Sequence, residues 1–214
     1  DPCAFKSGPD YIDPMFHRSA LQVDSHNLDL FLSDRPTVQA LYARCASGHG
    51  AAVCEGAMGF YDGQGLTTRA SAWELADTLG LPVLLVVQPG GTSVTLAAEI
   101  QGLVHFRKNS HISGILLNSC SEKLYKMLKD LLERETGLPV LGYLPHLPDA
   151  KGVDQPGQVL LLGALDGGHQ VFRRLLAHPL QLGHVLLLQE VQVAGGLHQP
   201  RVHQVLHHRD AQAL

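Results

Sequence analysis

Two kinds of apolar pattern alternate along the first 148 residues. Near-continuous apolar runs at 51–55, 81–87, 112–118 and 139–144 predict strands covered on both faces, and residues 2–6 predict the end of another. Between them the spacing turns helical. Residues 35–47 place Val38, Leu41, Tyr42 and Cys45 on one side, with Ser33 or Asp34 as cap and Pro36 in the first turn. Residues 71–79 form a second helix closed by Gly80. Residues 93–107 form a third, with Leu96, Ile100, Leu103 and Val104 on one side. Residues 121–136 form a fourth, capped by Ser121 and ended by Gly137, with Lys123, Lys126, Lys129, Glu133 and Glu135 facing water. Alternation at this spacing predicts an α/β fold built on a doubly wound parallel sheet, with helices on both faces.

The pattern fails after residue 148. Residues 151–214 contain 14 Leu, 9 Gln, 8 Val and 7 His, and lack Ser, Thr, Asn, Ile, Tyr, Met, Cys and Trp altogether. An ordinary domain does not lack eight residue types. Two regions are therefore expected: 1–148 as the α/β domain, and 149–214 as an unassigned, biased tail that is not necessarily a native reading of the gene. The tail is expected to pack poorly; a well-packed tail contributing strands to the same sheet would count against this. His203 and His207 have the i, i+4 spacing of helical metal ligands, but the composition of their surroundings argues against a metal there.

Composition narrows the function classes. Of the 214 residues, 45% are hydrophobic and 17% charged, so the chain is no disordered polyelectrolyte. A net charge of −4 offers no basic surplus for a nucleic-acid backbone. The four cysteines are scattered, which fits neither a disulfide framework nor a zinc ribbon and suits a reducing, cytoplasmic setting. No apolar run is long enough to span a membrane.

Candidate chemistry gathers where strands end, the edge at which open α/β sheets bind ligands. Lys6, Asp10 and Asp13 follow the first strand: the lysine suits phosphate oxygens, the acids a metal or a reacting group, though a polar turn would look the same. Glu55 closes the next strand, and a loop punctuated by Gly56, Gly59 and Gly63 carries Asp62. Asn118 ends a further strand and suits a nucleobase edge or, equally, a turn. Gly90 to Ser93 open a helix and read either as an anion site or as a cap. The pattern G-x-x-x-x-G-K-[ST] occurs nowhere in the chain, and neither does G-x-S-x-G.

The segments FKSGPDYIDPMFH (5–17), HNLDLFL (26–32), EGAMGFYDG (55–63), LPVLLVV (81–87) and GILLN (114–118) occur in this order. Together they resemble the cobyrinic acid a,c-diamide synthase family, over residues 1 to about 148. The resemblance implies a partial synthetase domain of the dethiobiotin-synthetase-like, P-loop NTPase type, truncated at its N-terminus. It implies a ligase of cobalamin biosynthesis in which ATP, with Mg²⁺, phosphorylates the a and c carboxylates of a corrinoid, and ammonia from glutamine displaces the phosphate. Carried over position by position, Asp10, Glu55 and Asp62 are implied as catalytic and Tyr11, Ile12 and Asp13 as substrate-binding. Lys6, Asn118 and Pro145 are implied as nucleotide-binding, and Asp10 and Glu55 as metal ligands.

The family's first strand, phosphate loop and first helix are expected before Asp1, and its glutaminase domain after Pro148. The chain is thus expected to be a fragment, inactive alone. Glutamine, through that glutaminase domain, and a tetrapyrrole are the expected partners, and a homodimer is possible. Two alternatives share these motifs: a nickel-sirohydrochlorin a,c-diamide synthase, and a non-catalytic nucleotide-fold remnant. The four acids Asp10, Asp13, Glu55 and Asp62 are expected at one sheet edge, exposed, incompletely paired, with at least one raised pKa.

Overall fold

The computed structural model describes residues 2–146, together with the backbone of segments 163–166, 169–172 and 184–190. Strands and helices alternate as β1 (Pro2–Ser7), α1 (Ile12–Leu21), β2 (Asp24–Leu28), α2 (Arg35–Ala46), β3 (Ala51–Glu55), α3 (Ala72–Leu79), β4 (Val83–Val87), α4 (Val94–His105), β5 (Ile112–Leu117), α5 (Glu122–Thr136) and β6 (Val140–Tyr143). Three further strands follow: β7 (Gly163–Asp166), β8 (His169–Phe172) and β9 (His184–Glu190). His203, His207 and the expected boundary at 148/149 lie outside the described residues.

The main sheet runs β2-β1-β3-β9-β4-β5-β6. The pairings β1–β2, β1–β3, β4–β5 and β5–β6 are parallel. From β1 the chain steps outward to β2, and every later connection through β6 runs the other way. Right-handed crossovers then place α1 on one face and α2 to α5 on the other. The core agrees. Phe5, Cys54, Leu85, Val87, Ile115 and Leu117 pack with Val38, Leu75, Leu96, Ile100 and Leu132 in one large cluster. Val53, Leu84, Val86 and Leu116 form a smaller cluster on the opposite face. Burial of each such aliphatic side chain contributes about 1.5–3 kcal/mol.

Local signals fix the helix ends. Asp34 accepts from the Thr37 N–H at 3.0 Å, Ser71 from Glu74 N–H at 3.2 Å and Ser121 from Leu124 N–H at 3.3 Å. Gly80 and Gly137 close α3 and α5 in the left-handed conformation.

The tail supplies one strand to this sheet, while its side-chain packing lies outside the described residues. β9 lies antiparallel between β3 and β4, pairing Val53 with Leu188 and Leu85 with Val185. β3 and β4 are otherwise interior strands whose facing N–H and C=O groups need partners. The apolar run at 185–188 has the length and composition to supply them. The sheet is therefore parallel except at this one strand.

Candidate functional site

β1 and β3 are adjacent, yet the chain leaves β1 toward α1 on one face and enters α3, after β3, on the other. Their carboxyl ends thus flank the point where the winding reverses, the place at which an open α/β sheet forms a crevice. Lys6 comes from the end of β1 and Glu55 from the end of β3, directly opposite in register. The first turns of α1, lying over β1 and β2, bring Asp13 and His17 against them.

These four side chains are buried: Lys6 is 4% exposed, Asp13 2%, His17 1% and Glu55 7%. Lys6 Nζ lies 2.7 Å from Asp13 Oδ2 and 3.1 Å from Glu55 Oε1, and donates to the Gly56 carbonyl at 3.3 Å. Burial works to lower the lysine pKa, but Glu55 and Asp13 outweigh it and hold it raised. Burial pushes the Glu55 carboxyl up to about 7 despite the attraction of Lys6. Burial likewise raises Asp13, helped by a hydrogen bond with the Asp10 side chain and opposed by Lys6. His17 is pushed down to about 4, by burial first and by Lys6 second, and so is neutral at pH 7. Its Nδ1 is 2.8 Å from Ser25 Oγ, while Nε2 faces Glu55 Oε2 at 3.7 Å, too far for a hydrogen bond.

The expectation of an exposed acid cluster is corrected by this arrangement, while that of incomplete pairing holds: Glu55 Oε2 and the facing His17 Nε2 are buried without a hydrogen-bond partner. Asp13 and Glu55 are interior, and Lys6 is the cation between them. Asp10 sits at the rim, its Oδ1 accepting from Ile12 N–H at 2.8 Å. Asp62 stands apart: it is exposed, with its carboxylate packed over Gly59, where an added Cβ would lie 2.2 Å from Oδ2. Tyr11 and Ile12, 72% and 52% exposed, stand at the mouth of the crevice. Asn118 follows β5 and Pro145 follows β6, and the two segments are joined where Leu144 N–H donates to the Leu117 carbonyl at 2.8 Å and Cys120 N–H to the Leu144 carbonyl at 2.9 Å. Among the described residues no group of three His, Cys, Asp or Glu side chains is arranged to hold a metal ion. With Lys6 on Glu55 Oε1, the residues as they stand do not form a Mg²⁺ site. Sequence reasoning assigned no role to His17 or Ser25. Both are polar residues at buried positions, which hydrophobic periodicity cannot register.

An α/β sheet wound about a switch-point crevice, with charged groups at its carboxyl edge, defines a doubly wound ligand-binding α/β protein, and the family match makes it P-loop NTPase-like. The chain belongs to the AAA-domain family, whose model matches residues 16–153. Its relatives bear out the resemblance read from the motifs. The chain is 47% identical over 141 residues to a cobyrinate a,c-diamide synthase of Clostridium tetani, covering 66% of this chain and 31% of that protein. It is 44% identical over 143 residues to the enzyme of that name from Clostridium acetobutylicum (66% and 32% covered), and 39% identical over 143 residues to that of Salmonella typhimurium (66% and 31% covered). The chain thus spans about a third of the length of these curated relatives. No solved structure matches. Among the described residues no helix is long and apolar enough to cross a membrane.

Proposed function

We propose that this chain carries the substrate-activating part of an ATP-dependent carbon–nitrogen ligase that amidates the a and c side-chain carboxylates of cobyrinic acid. Glutamine is the source of the ammonia in this reading. The observation that carries it is the 47% identity over 141 residues to a cobyrinate a,c-diamide synthase, and the pairing of Lys6 with Glu55 across β1 and β3 supports it.

A carboxylate oxygen is a poor leaving group, so ATP is needed to convert it to an acyl phosphate, from which ammonia expels phosphate. Lys6, held between two carboxylates, places a fixed positive charge at the carboxyl edge, where phosphate oxygens gather charge. Attack by neutral ammonia leaves a surplus proton on nitrogen. Glu55, with a pKa near 7, is suited to accept it as phosphate departs. Tyr11 and Ile12 offer apolar contact to the macrocycle at the crevice mouth, and Asn118 with Pro145 forms a rim suited to an adenine.

A chimera tests this reading: residues 2–146 replace the matching segment of the Clostridium tetani relative. With ATP, glutamine and cobyrinate, mass spectrometry is expected to show two successive carboxyl-to-amide conversions. A folded chimera that forms no amide would reject the assignment.

A further inference from the structure

A second recess opens on the same edge of the sheet. It has a volume of about 430 Å³ and is formed by the segment linking β2 to α2 together with the approach to α3. Both helices begin at the carboxyl edge, so the recess and the Lys6–Glu55 crevice open in one direction. Its apolar wall is Leu30, Phe31 and Leu32, and the last two are 54% and 71% exposed.

Four charged groups line it, and three are already committed. Arg35 pairs with Glu74 at 2.8 Å, while the other Glu74 oxygen accepts from Ala70 N–H at 2.6 Å. Asp34 caps α2. Of its two arginines, Arg69 has no ion-pair partner among the described residues. It is held in place by an over-determined loop. The Arg69 carbonyl accepts from Gln64 N–H at 2.8 Å, and it lies so close to Gly63 that a Cβ there would meet it at 2.0 Å. The next residue, Ala70, is fixed at φ 59°, a conformation an alanine adopts at a cost. Backbone strain beside an uncompensated guanidinium marks a position built for presentation, and the exposed apolar pair beside it supplies a complementary surface.

We infer that this recess is a carboxylate subsite. Arg69 takes a non-reacting acid arm of the macrocyclic substrate, and Phe31 and Leu32 carry the apolar edge of its ring. This rests on the proposed function: a flat macrocycle bearing several acid arms presents further carboxylates when one of them enters the crevice. A planar guanidinium suits a carboxylate through two parallel hydrogen bonds. Arg69 is thereby a specificity residue acting on substrate affinity.

The test is calorimetric titration of the 214-residue chain with cobyrinate and, separately, with cobyrinate whose carboxyl groups are all methyl esters. Arg69→Gln is expected to weaken binding of the acid by roughly ten- to a hundredfold, the range of a hydrogen bond between charged groups, and to leave ester binding unchanged. Arg69→Lys is expected to recover part of the loss. Equal acid binding by the native chain and Arg69→Gln overturns the subsite, and so does an equal loss toward acid and ester. A native chain that binds neither compound overturns the functional reading itself.

Discussion

Replacing Glu55 by Gln should change the pH profile of stability more than its mean. The native protein holds two buried groups whose linkages oppose each other. Glu55 rises from 4.5 to about 7 on folding, so its contribution is fully present below pH 4.5 and is lost as pH rises through 7. His17 falls from 6.5 to about 4, so its contribution is fully present above pH 6.5 and is lost as pH falls through 4. At about 1.4 kcal/mol for each pH unit, each is of the order of 3 kcal/mol. They overlap between pH 4.5 and 6.5 and largely cancel there, which predicts a nearly flat native profile. Asp13, also raised by burial, acts in the same sense as Glu55. Glu55→Gln removes the falling limb, and stability should climb by about 3 kcal/mol from pH 4 to 6.5. His17→Gln removes the rising limb, and stability should fall by a similar amount from pH 4.5 to 7. Urea unfolding followed by the single tryptophan, Trp73, at four or five pH values reads both slopes. A Glu55→Gln profile parallel to the native one would refute the assignment of a titrating, buried Glu55.

Lys6→Met leaves two buried carboxylates without their cation and should cost about 3–5 kcal/mol at pH 7 in urea unfolding, with part of the loss restored when Glu55→Gln is added. Gly63→Ala drives a Cβ into the Arg69 carbonyl and should lower stability by about 1–3 kcal/mol while dislodging the Arg69 loop, visible as faster amide exchange at Gln64. The 214-residue chain, having no G-x-x-x-x-G-K-[ST] segment, is expected to release no phosphate from ATP in a colorimetric assay.

How far the sequence could be read depended on what each element buries. The strands β3, β4, β5 and β6 bury aliphatic residues, and periodicity located them to within one or two positions. α1 and β2 left no such trace. The buried residues of α1 are Asp13, Pro14 and His17, while its apolar Ile12 and Met15 face outward. β2 buries Ser25 and Leu28 in the polar run DSHNL. In α1 the usual inside-outside rule is inverted, because its buried face serves the ion cluster rather than the core, while β2 puts Leu28 into the core and Ser25 against His17. The motifs still marked three residues that the structure brings together, Lys6, Asp13 and Glu55, singled out from strand-end position and resemblance. Position along the chain could not show that Lys6 neutralises the two acids, because that pairing requires β1 and β3 to be neighbours in register. Nor could it show His17 behind Glu55, since only the packing of α1 brings them together. Sequence reasoning failed at α1, whose buried positions are Asp13, Pro14 and His17, and α1 is the helix that closes over the crevice. The inversion is therefore a pointer of its own: a helix that buries an aspartate and a histidine, and exposes its isoleucine and methionine, is held by what it binds or positions rather than by the hydrophobic effect.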